Sequence, residues 1–325
     1  MKKNLLRLRT TLVLAFLTFL AIMPVLAADR QCEWTNIARI VAIGDVHGDY
    51  DQMVKCLKAT GVIDDGNNWI GGKLHLVQVG DILDRGPDSK KAMDLLMNLE
   101  QQAKDAGGAV HALIGNHEAF ILRGQYKDVY PTEPEPYGGM EAYQKAMAAD
   151  GKYGKWIRSH NAVIKINDIL FLHGGISPRY AVMSLQTINK DVTASIDKHG
   201  GGGTAEDGDG PLLYRGLAEG DENRVKARAV LKKKKGRLRG LAEGDENSVK
   251  KALEPAITNY GIRHVVIGHT TVPSKVIHLI ADGAVIMIDV GMSKTFRNGP
   301  AMCLLIENDK FYAVTPEEKK ELPVK

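Results

Sequence analysis

Arg39-Ile40-Val41-Ala42-Ile43-Gly44-Asp45-Val46-His47-Gly48 joins an apolar, β-branched run to a glycine-bounded loop that carries a carboxylate and an imidazole. A run of this length and composition, stopped by Gly and Asp, reads as a buried strand. The same arrangement recurs four times. Leu74 to Val79 leads into Gly80-Asp81-Ile82-Leu83-Asp84-Arg85-Gly86, and Ala109 to Ile114 into Gly115-Asn116-His117-Glu118. Ile169 to Leu172 leads into His173-Gly174-Gly175, and Val265 to Ile267 into Gly268-His269-Thr270. Helical stretches such as Asp51 to Ala59 and Ser89 to Ala106 lie between the runs, so strand, loop and helix alternate as in an α/β layered fold. In such folds ligands gather where loops leave the carboxyl ends of strands, which is where all five loops fall.

After His269 the pattern changes. Val276 to Leu279, Ala284 to Asp289, Ala301 to Ile306 and Phe311 to Val314 are spaced like a β-meander. A second sheet packed on the first would give one domain with two sheets inside and helices outside. Residues 120–156, with Pro131, Pro134, Pro136 and Tyr126, Tyr130, Tyr137, Tyr143 and Tyr153, form a long connection that reads as a cap over the cleft. Residues 199–210, glycine- and aspartate-rich, read as a mobile surface loop without the ligand spacing of a calcium loop. Arg215 to Asn223 reads RGLAEGDEN, and Arg239 to Asn247 repeats it letter for letter. Two copies do not make a solenoid, so this is a local duplication within a mobile segment over 199–247, and its basic run Lys232 to Arg239 is a solvated face.

The amino terminus is a separate element. Lys2, Lys3, Arg7 and Arg9 precede an apolar stretch from Leu12 to Ile22, then Pro24 and Val25-Leu26-Ala27, the layout of a signal peptide cleaved after Ala27. The stretch is shorter than the ~20 residues that span a bilayer, so no stable membrane span is expected after cleavage. The four basic residues named account for the whole +4 charge of the 325-residue chain. A balanced remainder gives no electrostatic footprint for nucleic acid. The expected location is periplasmic or secreted. Cys32, Cys56 and Cys303 are too few for a disulfide framework.

The loops supply ligands for two metal ions. Carboxylate with imidazole suits manganese, iron or zinc, in divalent or trivalent form. Asp45 and His47 reach one ion from a single loop, Asp81 can offer an oxygen to each of two, and Asn116, His173 and His269 complete the second site. Two-metal centres hold their ions about 3.5–4 Å apart and activate water near neutral pH. Hydrolysis of a phosphate monoester needs accelerations of up to ~10²¹, or roughly 28 kcal/mol, whereas one hydrogen-bond donor supplies only ~3–4 kcal/mol. Cationic clamps and a general acid are therefore required as well. Arg85 can hold phosphate oxygens with its planar fork, His117 can protonate the leaving oxygen, and Asp84 can orient that imidazole. Asp49 and Glu118 extend the motifs or cap the helices that follow, and His75, His111, His160, His199, His264 and His278 read as structural or surface residues.

The set GDxHG, GDxxDRG, GNHE, HGG and a late histidine resembles the phosphoprotein phosphatase branch of the calcineurin-like metallophosphoesterases. It is similar, more closely, to the Shewanella-like protein phosphatases, through Trp69-Ile70-Gly71-Gly72, Trp156-Ile157-Arg158-Ser159, Phe171 to Ile176 and Gly210-Pro211-Leu212-Leu213-Tyr214-Arg215-Gly216. The resemblance covers roughly Ile37 to Val314 and implies a four-layer αββα domain over 37–315, with two mixed sheets between helices. It implies Asp45, His47, Asp81, Asn116, His173 and His269 as metal ligands, Arg85 and a later arginine as phosphate clamps, and His117 with Asp84 as the acid pair. Arg215 follows the Gly-Pro-Leu-Leu-Tyr lead-in and is the later arginine, with Arg239 of the second copy as the alternative. The group is associated with phosphotyrosine, so the expected substrate is a phosphorylated protein or a small aryl phosphate ester. Dinucleoside polyphosphates or cyclic nucleotides are the alternative on the same centre, with the aromatic segment 120–156 stacking a base. An adaptor docking through Lys232 to Arg239 is the non-enzymatic alternative.

Overall fold

The computed structural model describes residues 30–198, 201–219 and 246–325. Met1–Gln31 form one unit, of which only Arg30 and Gln31 are described, and Cys32–Lys325 form the other. The signal peptide expected over 1–27, the basic run Lys232 to Arg239, and the second RGLAEGDEN copy up to residue 245 lie outside the described residues. Among the described residues no helix is long and apolar enough to cross a membrane.

The apolar runs form strands β1 (Glu33–Trp34), β2 (Arg39–Ile43), β3 (His75–Gln78), β4 (Ala109–Ala112), β5 (Val163–Ile166), β6 (Ile169–Leu172), β7 (His264–Ile267), β8 (His278–Ile280), β9 (Val285–Met287), β10 (Cys303–Glu307), β11 (Lys310–Val314) and β12 (Lys319–Glu321). One sheet has the order β12-β11-β10-β2-β3-β4, the other β1-β5-β6-β7-β9-β8. In the first, β2, β3 and β4 are parallel and β10 pairs antiparallel to β2. In the second, β6, β7 and β9 are parallel, β5 is antiparallel to β6 but parallel to β1, and β8 is antiparallel to β9. Both sheets are mixed, as expected.

The late strands do not form a meander. β8 and β9 are a hairpin in the second sheet, whereas β10 and β11 are a hairpin in the first. Each hairpin joins a strand already present, β9 lying beside β7 and β10 beside β2, and Val285, Ile286, Met287, Leu304 and Leu305 are all buried there. Residues 288–302 cross between the sheets at the edge that carries the motif loops.

Helices cover the outer faces. Helix α1 (Tyr50–Ala59) starts where Asp49 Oδ1 accepts Gln52 N, and it buries Met53, Cys56 and Leu57. Helix α2 (Ser89–Asp105) buries Ala92, Met93, Leu96, Leu99 and Ala103 at helical spacing. Its first amides, Ser89 N and Lys90 N, are capped by the Glu133 carboxyl group at 3.1 Å each. Glu133 belongs to the 120–156 connection, which folds into α4 (Met140–Met147) and α5 (Lys152–Arg158) after the short α3 (Asn116–Leu122). Tyr143 and Tyr153 are buried there, with ring centroids 5.0 Å and 5.5 Å from Tyr137. Tyr143 and Tyr153 are therefore core and not available to stack a base, whereas Tyr126, Tyr130 and Tyr137 are half-buried.

Residues 201–210, the described part of the loop expected over 199–210, form turns and bends that pack in part. Ala205 is buried, with its amide on Ser195 Oγ, and Asp207 accepts from Arg179 and from Tyr180 OH. Short side chains and turn hydrogen bonds let a glycine-rich segment pack. Helices α6 (Leu185–Ile196), α7 (Gly216–Glu219) and α8 (Glu246–Tyr260) follow.

Candidate metal centre

The parallel strands β2, β3, β4, β6 and β7 place their loops along one edge. The loops bend sharply: φ is 45° at His47, 59° at Asp81, 67° at Asp84, 65° at Arg85 and 61° at His269. Such residues cost about 1–3 kcal/mol each and persist only where the surroundings over-determine them. Here hydrogen bonds do so. Val46 N and His47 N donate to Asp81 O at 3.0 Å and 2.9 Å. The Glu118 carboxylate accepts Asp81 N at 2.7 Å, Ile82 N at 2.8 Å, Leu83 N at 3.2 Å and Gly115 N at 2.8 Å. Glycine is required at Gly80, where φ is 99° and a Cβ would lie 2.6 Å from Gly115 Cα, and at Gly268, where it would lie 2.4 Å from Asp45 Oδ1.

The side chains held this way converge. Asp81 Oδ2 lies 3.3 Å from His173 Nε2, 3.6 Å from His47 Nε2 and 3.9 Å from His117 Nε2. Asn116 Oδ1 is 2.9 Å from His173 Nε2, and the ring centroids of His173 and His269 are 4.9 Å apart. Asp45 Oδ2 is 3.9 Å from His47 Nε2, and its Oδ1 accepts His269 N. All six expected ligands thus meet at one buried place. Among the described residues, two groups could each hold a metal ion: His47, Asp81 and His117, and Asp81, His173 and His269. Asp81 belongs to both.

The donor set fits a metal on two grounds. First, His47 Nδ1 faces Leu83 O at 2.9 Å and His173 Nδ1 faces Val79 O at 3.0 Å. A carbonyl only accepts, so each Nδ1 carries the proton, the usual support for a metal-binding histidine. His47 Nε2 keeps its lone pair, facing the Arg85 Nη1 donor, whereas His173 Nε2 faces the Asn116 and Asp81 oxygens, where a bound cation would take the place of its proton. Second, buried carboxylates and imidazoles crowd one place and shift one another strongly, as at functional sites. Burial, then the Asp289 and Asp81 carboxylates, push Asp45 well above the usual carboxylate range. Burial opposes ionisation of Asp81, but His173, His117 and His47 hold its pKa well below that range. Burial also pulls His173 down, yet Asp81 and Asp45 outweigh it and push the imidazole up to about 9. Burial drops His47 to about 3 and holds His269 well below its ordinary value.

His117 differs from the others. Its Nδ1 faces a carboxylate, Asp84 Oδ2, at 2.6 Å. Burial lowers His117, but Asp81 and the Asp84 hydrogen bond raise it above its ordinary value. Distance alone admits His117 as a ligand; its carboxylate partner equips it equally as an acid. Arg85 Nη1 lies 3.0 Å from His47 Nε2. Arg215 Nη1 donates to His269 O at 3.1 Å and to Thr270 Oγ1 at 2.9 Å, so this arginine sits on the fifth motif loop. Arg239 lies outside the described residues.

Three contributors escaped the sequence reading. Glu118 does cap α3, but it also gathers three amides of the second motif loop. Asp289 follows the end of β9 as Asp45 follows that of β2, is buried, and accepts from Thr271 Oγ1 and Gly291 N at 2.8 Å each. Its signal was the same strand-then-aspartate pattern. Phe296 has its ring centroid 5.4 Å from that of His47 and lies under the Arg85 guanidinium, and nothing local in the sequence marks it.

Two stacked mixed sheets with this cluster at their shared edge define a metal-dependent phosphatase. Residues 38–273 match the calcineurin-like phosphoesterases, and the chain belongs to that family. It is 28% identical to Shewanella-like protein phosphatase 2 of Arabidopsis thaliana, over 86% of this chain and 78% of that one. It is also 28% identical to Shewanella-like protein phosphatase 1 of Plasmodium berghei, over 88% and 76%. The solved cold-active protein-tyrosine phosphatase of a psychrophilic Shewanella species superposes with a TM-score of 0.72 at 28% identity, covering 90% of this chain and 82% of that one.

Proposed function

We propose that the chain is an exported phosphomonoesterase that uses two metal ions and prefers phosphotyrosine-type aryl phosphates. The observation that carries the two-ion reading is Asp81 Oδ2, which is within 3.9 Å of three imidazole nitrogens and belongs to both candidate ion groups. Two ions of manganese, iron or zinc, when bound by Asp45, His47, Asp81, Asn116, His173 and His269, supply the activated water and neutralise phosphoryl charge. The chain's own residues do the rest. Arg85 and Arg215 hold the phosphate oxygens. The His117 Nε2 proton passes to the departing ester oxygen, while Asp84 holds Nδ1–H and favours the charged ring.

Two half-buried rings support an aryl substrate. Phe120 lies 5.6 Å from His117 and Phe296 5.4 Å from His47, centroid to centroid, so apolar faces flank the reacting groups. The tyrosine phosphatase named among the solved relatives points the same way. Export is supported by the basic head, apolar stretch and small-residue cleavage pattern of residues 1–27.

The test is Asp81→Asn in purified protein lacking residues 1–27. Turnover of p-nitrophenyl phosphate should disappear and bound metal should fall, with the fold retained by circular dichroism; near wild-type turnover rejects the proposal. A panel of phosphotyrosine and phosphoserine peptides tests the preference, and cell fractionation tests export.

A further inference from the structure

The turn from Ser293 to Arg297 is bolted to two motif loops at once. Ser293 Oγ donates to His47 O at 3.2 Å, Thr295 Oγ1 to Arg85 O at 2.9 Å, and Lys294 N to Asp49 Oδ2 at 2.8 Å. The turn closes on itself through Phe296 N and Ser293 O. It therefore fixes one side chain, Phe296, against the cleft. The Arg85 guanidinium carbon stands 4.0 Å from the centre of that ring, and that of Arg297 4.7 Å. The ring also meets His47 edge-on, at an interplanar angle of 74°.

Arg85 needs such a support. Its backbone is in the left-handed region at φ 65°, and its amide is tied to Asp128 O. Those constraints fix where the side chain starts; at its far end Nη1 rests on His47 Nε2 at 3.0 Å, a nitrogen that a bound metal would claim, so the fork needs another support. A guanidinium clamp gains from its planar fork only when the fork is already aimed. A flat aromatic face is the surface on which a guanidinium stacks without giving up its in-plane N–H donors.

We propose that Phe296 is the positioning residue for the phosphate clamp, stacking Arg85 so that its donors face the phosphoryl site. This rests on the reading of Arg85 as a phosphate-binding group. Arg297, over the same ring and exposed, is the second cation at the rim but does not carry the proposal.

The experiment is a double-mutant cycle on metal-loaded protein, reading kcat/KM for p-nitrophenyl phosphate and the inhibition constant of inorganic phosphate. Phe296→Leu keeps an apolar side chain of similar bulk and removes the ring. It should weaken both readouts about 3- to 10-fold, the worth of one cation–π contact, with bound metal unchanged. Phe296→Tyr restores the ring and should recover most of the loss. Arg85→Ala should cost about 100-fold. In that background, Phe296→Leu should cost nothing further, because the ring acts through the arginine. Additive losses, or equal losses in the Leu and Tyr variants, overturn the inference and leave the clamp reading standing. A wild-type rate in Arg85→Ala overturns both.

Discussion

Glu118→Gln tests whether one buried carboxylate holds the metal-site loops in their strained shape. Oε2 accepts Asp81 N and Gly115 N, and Oε1 accepts Ile82 N and Leu83 N. Glutamine has the same outline but turns one of these acceptors into a donor. Whichever way the amide sits, two buried N–H groups lose their partners. Each costs about 1–3 kcal/mol, so the direct loss is about 2–6 kcal/mol. Relief is partial: burial raises the Glu118 pKa, so a neutral side chain recovers some desolvation. A net loss of about 2–4 kcal/mol corresponds to a melting-temperature drop of about 4–8 °C for a unit of this size. Melting should be followed by circular dichroism in excess chelator, so that metal binding does not mask the difference. Because Asp81 carries the shared carboxylate at a left-handed position, kcat/KM well below the melting point should fall at least about tenfold. A melting temperature within about 1 °C of wild type, with undiminished turnover, would show that the four contacts do not brace the loops.

Other outcomes follow from the same geometry. Arg215→Ala should lower kcat/KM by roughly 10²–10³, and Arg239→Ala should leave it near wild type; the reverse would move the second clamp to the duplicated copy. Asp84→Asn removes the charge 2.6 Å from His117 Nδ1 that raises the imidazole, so the alkaline limb of kcat/KM should shift to lower pH. An unmoved limb would remove His117 as the acid. Away from the centre, His75 Nδ1 and His111 Nε2 meet at 3.1 Å beside Trp34. Burial holds them at about 4 and about 3. Folded values below the ordinary ~6.5 mean the unfolded chain binds more protons, so stability is full above ~6.5 and is lost as pH falls towards the folded values. The slope should approach about 1.4 kcal/mol per pH unit for each histidine, and His111→Gln should flatten it. Equal slopes in variant and wild type would refute the assignment.

What the sequence disclosed and what it hid divide along a physical line. Metal and phosphate chemistry selects residue types: a carboxylate, an imidazole or a guanidinium cannot be exchanged for something of similar shape. Asp45, His47, Asp81, Asn116, His173 and His269 therefore stand out in a few short strings, and the strand preceding each string gives its address at the carboxyl edge. Support is different, because it is defined by reach. Glu118 looks like an ordinary helix cap until its second oxygen is seen to hold Ile82 and Leu83, distant in sequence. Phe296 looks like a loop aromatic until Arg85 is placed over it. The late strands were visible one by one, but their division between two sheets depends on the pairings of β9 with β7 and β10 with β2, which no local pattern encodes. Tyr143 and Tyr153 show the same limit: an aromatic ring serves equally in a core or in a cleft, and only its burial decides. Asp289 is the instructive intermediate. It obeys the strand-then-aspartate pattern of the candidate ligands Asp45 and Asp81 and sits close enough to raise Asp45, yet its carboxylate is taken up by Thr271 and Gly291. At this edge the pattern locates a carboxylate, while the neighbours that claim its oxygens decide whether it is free to meet an ion or is committed to its own loop.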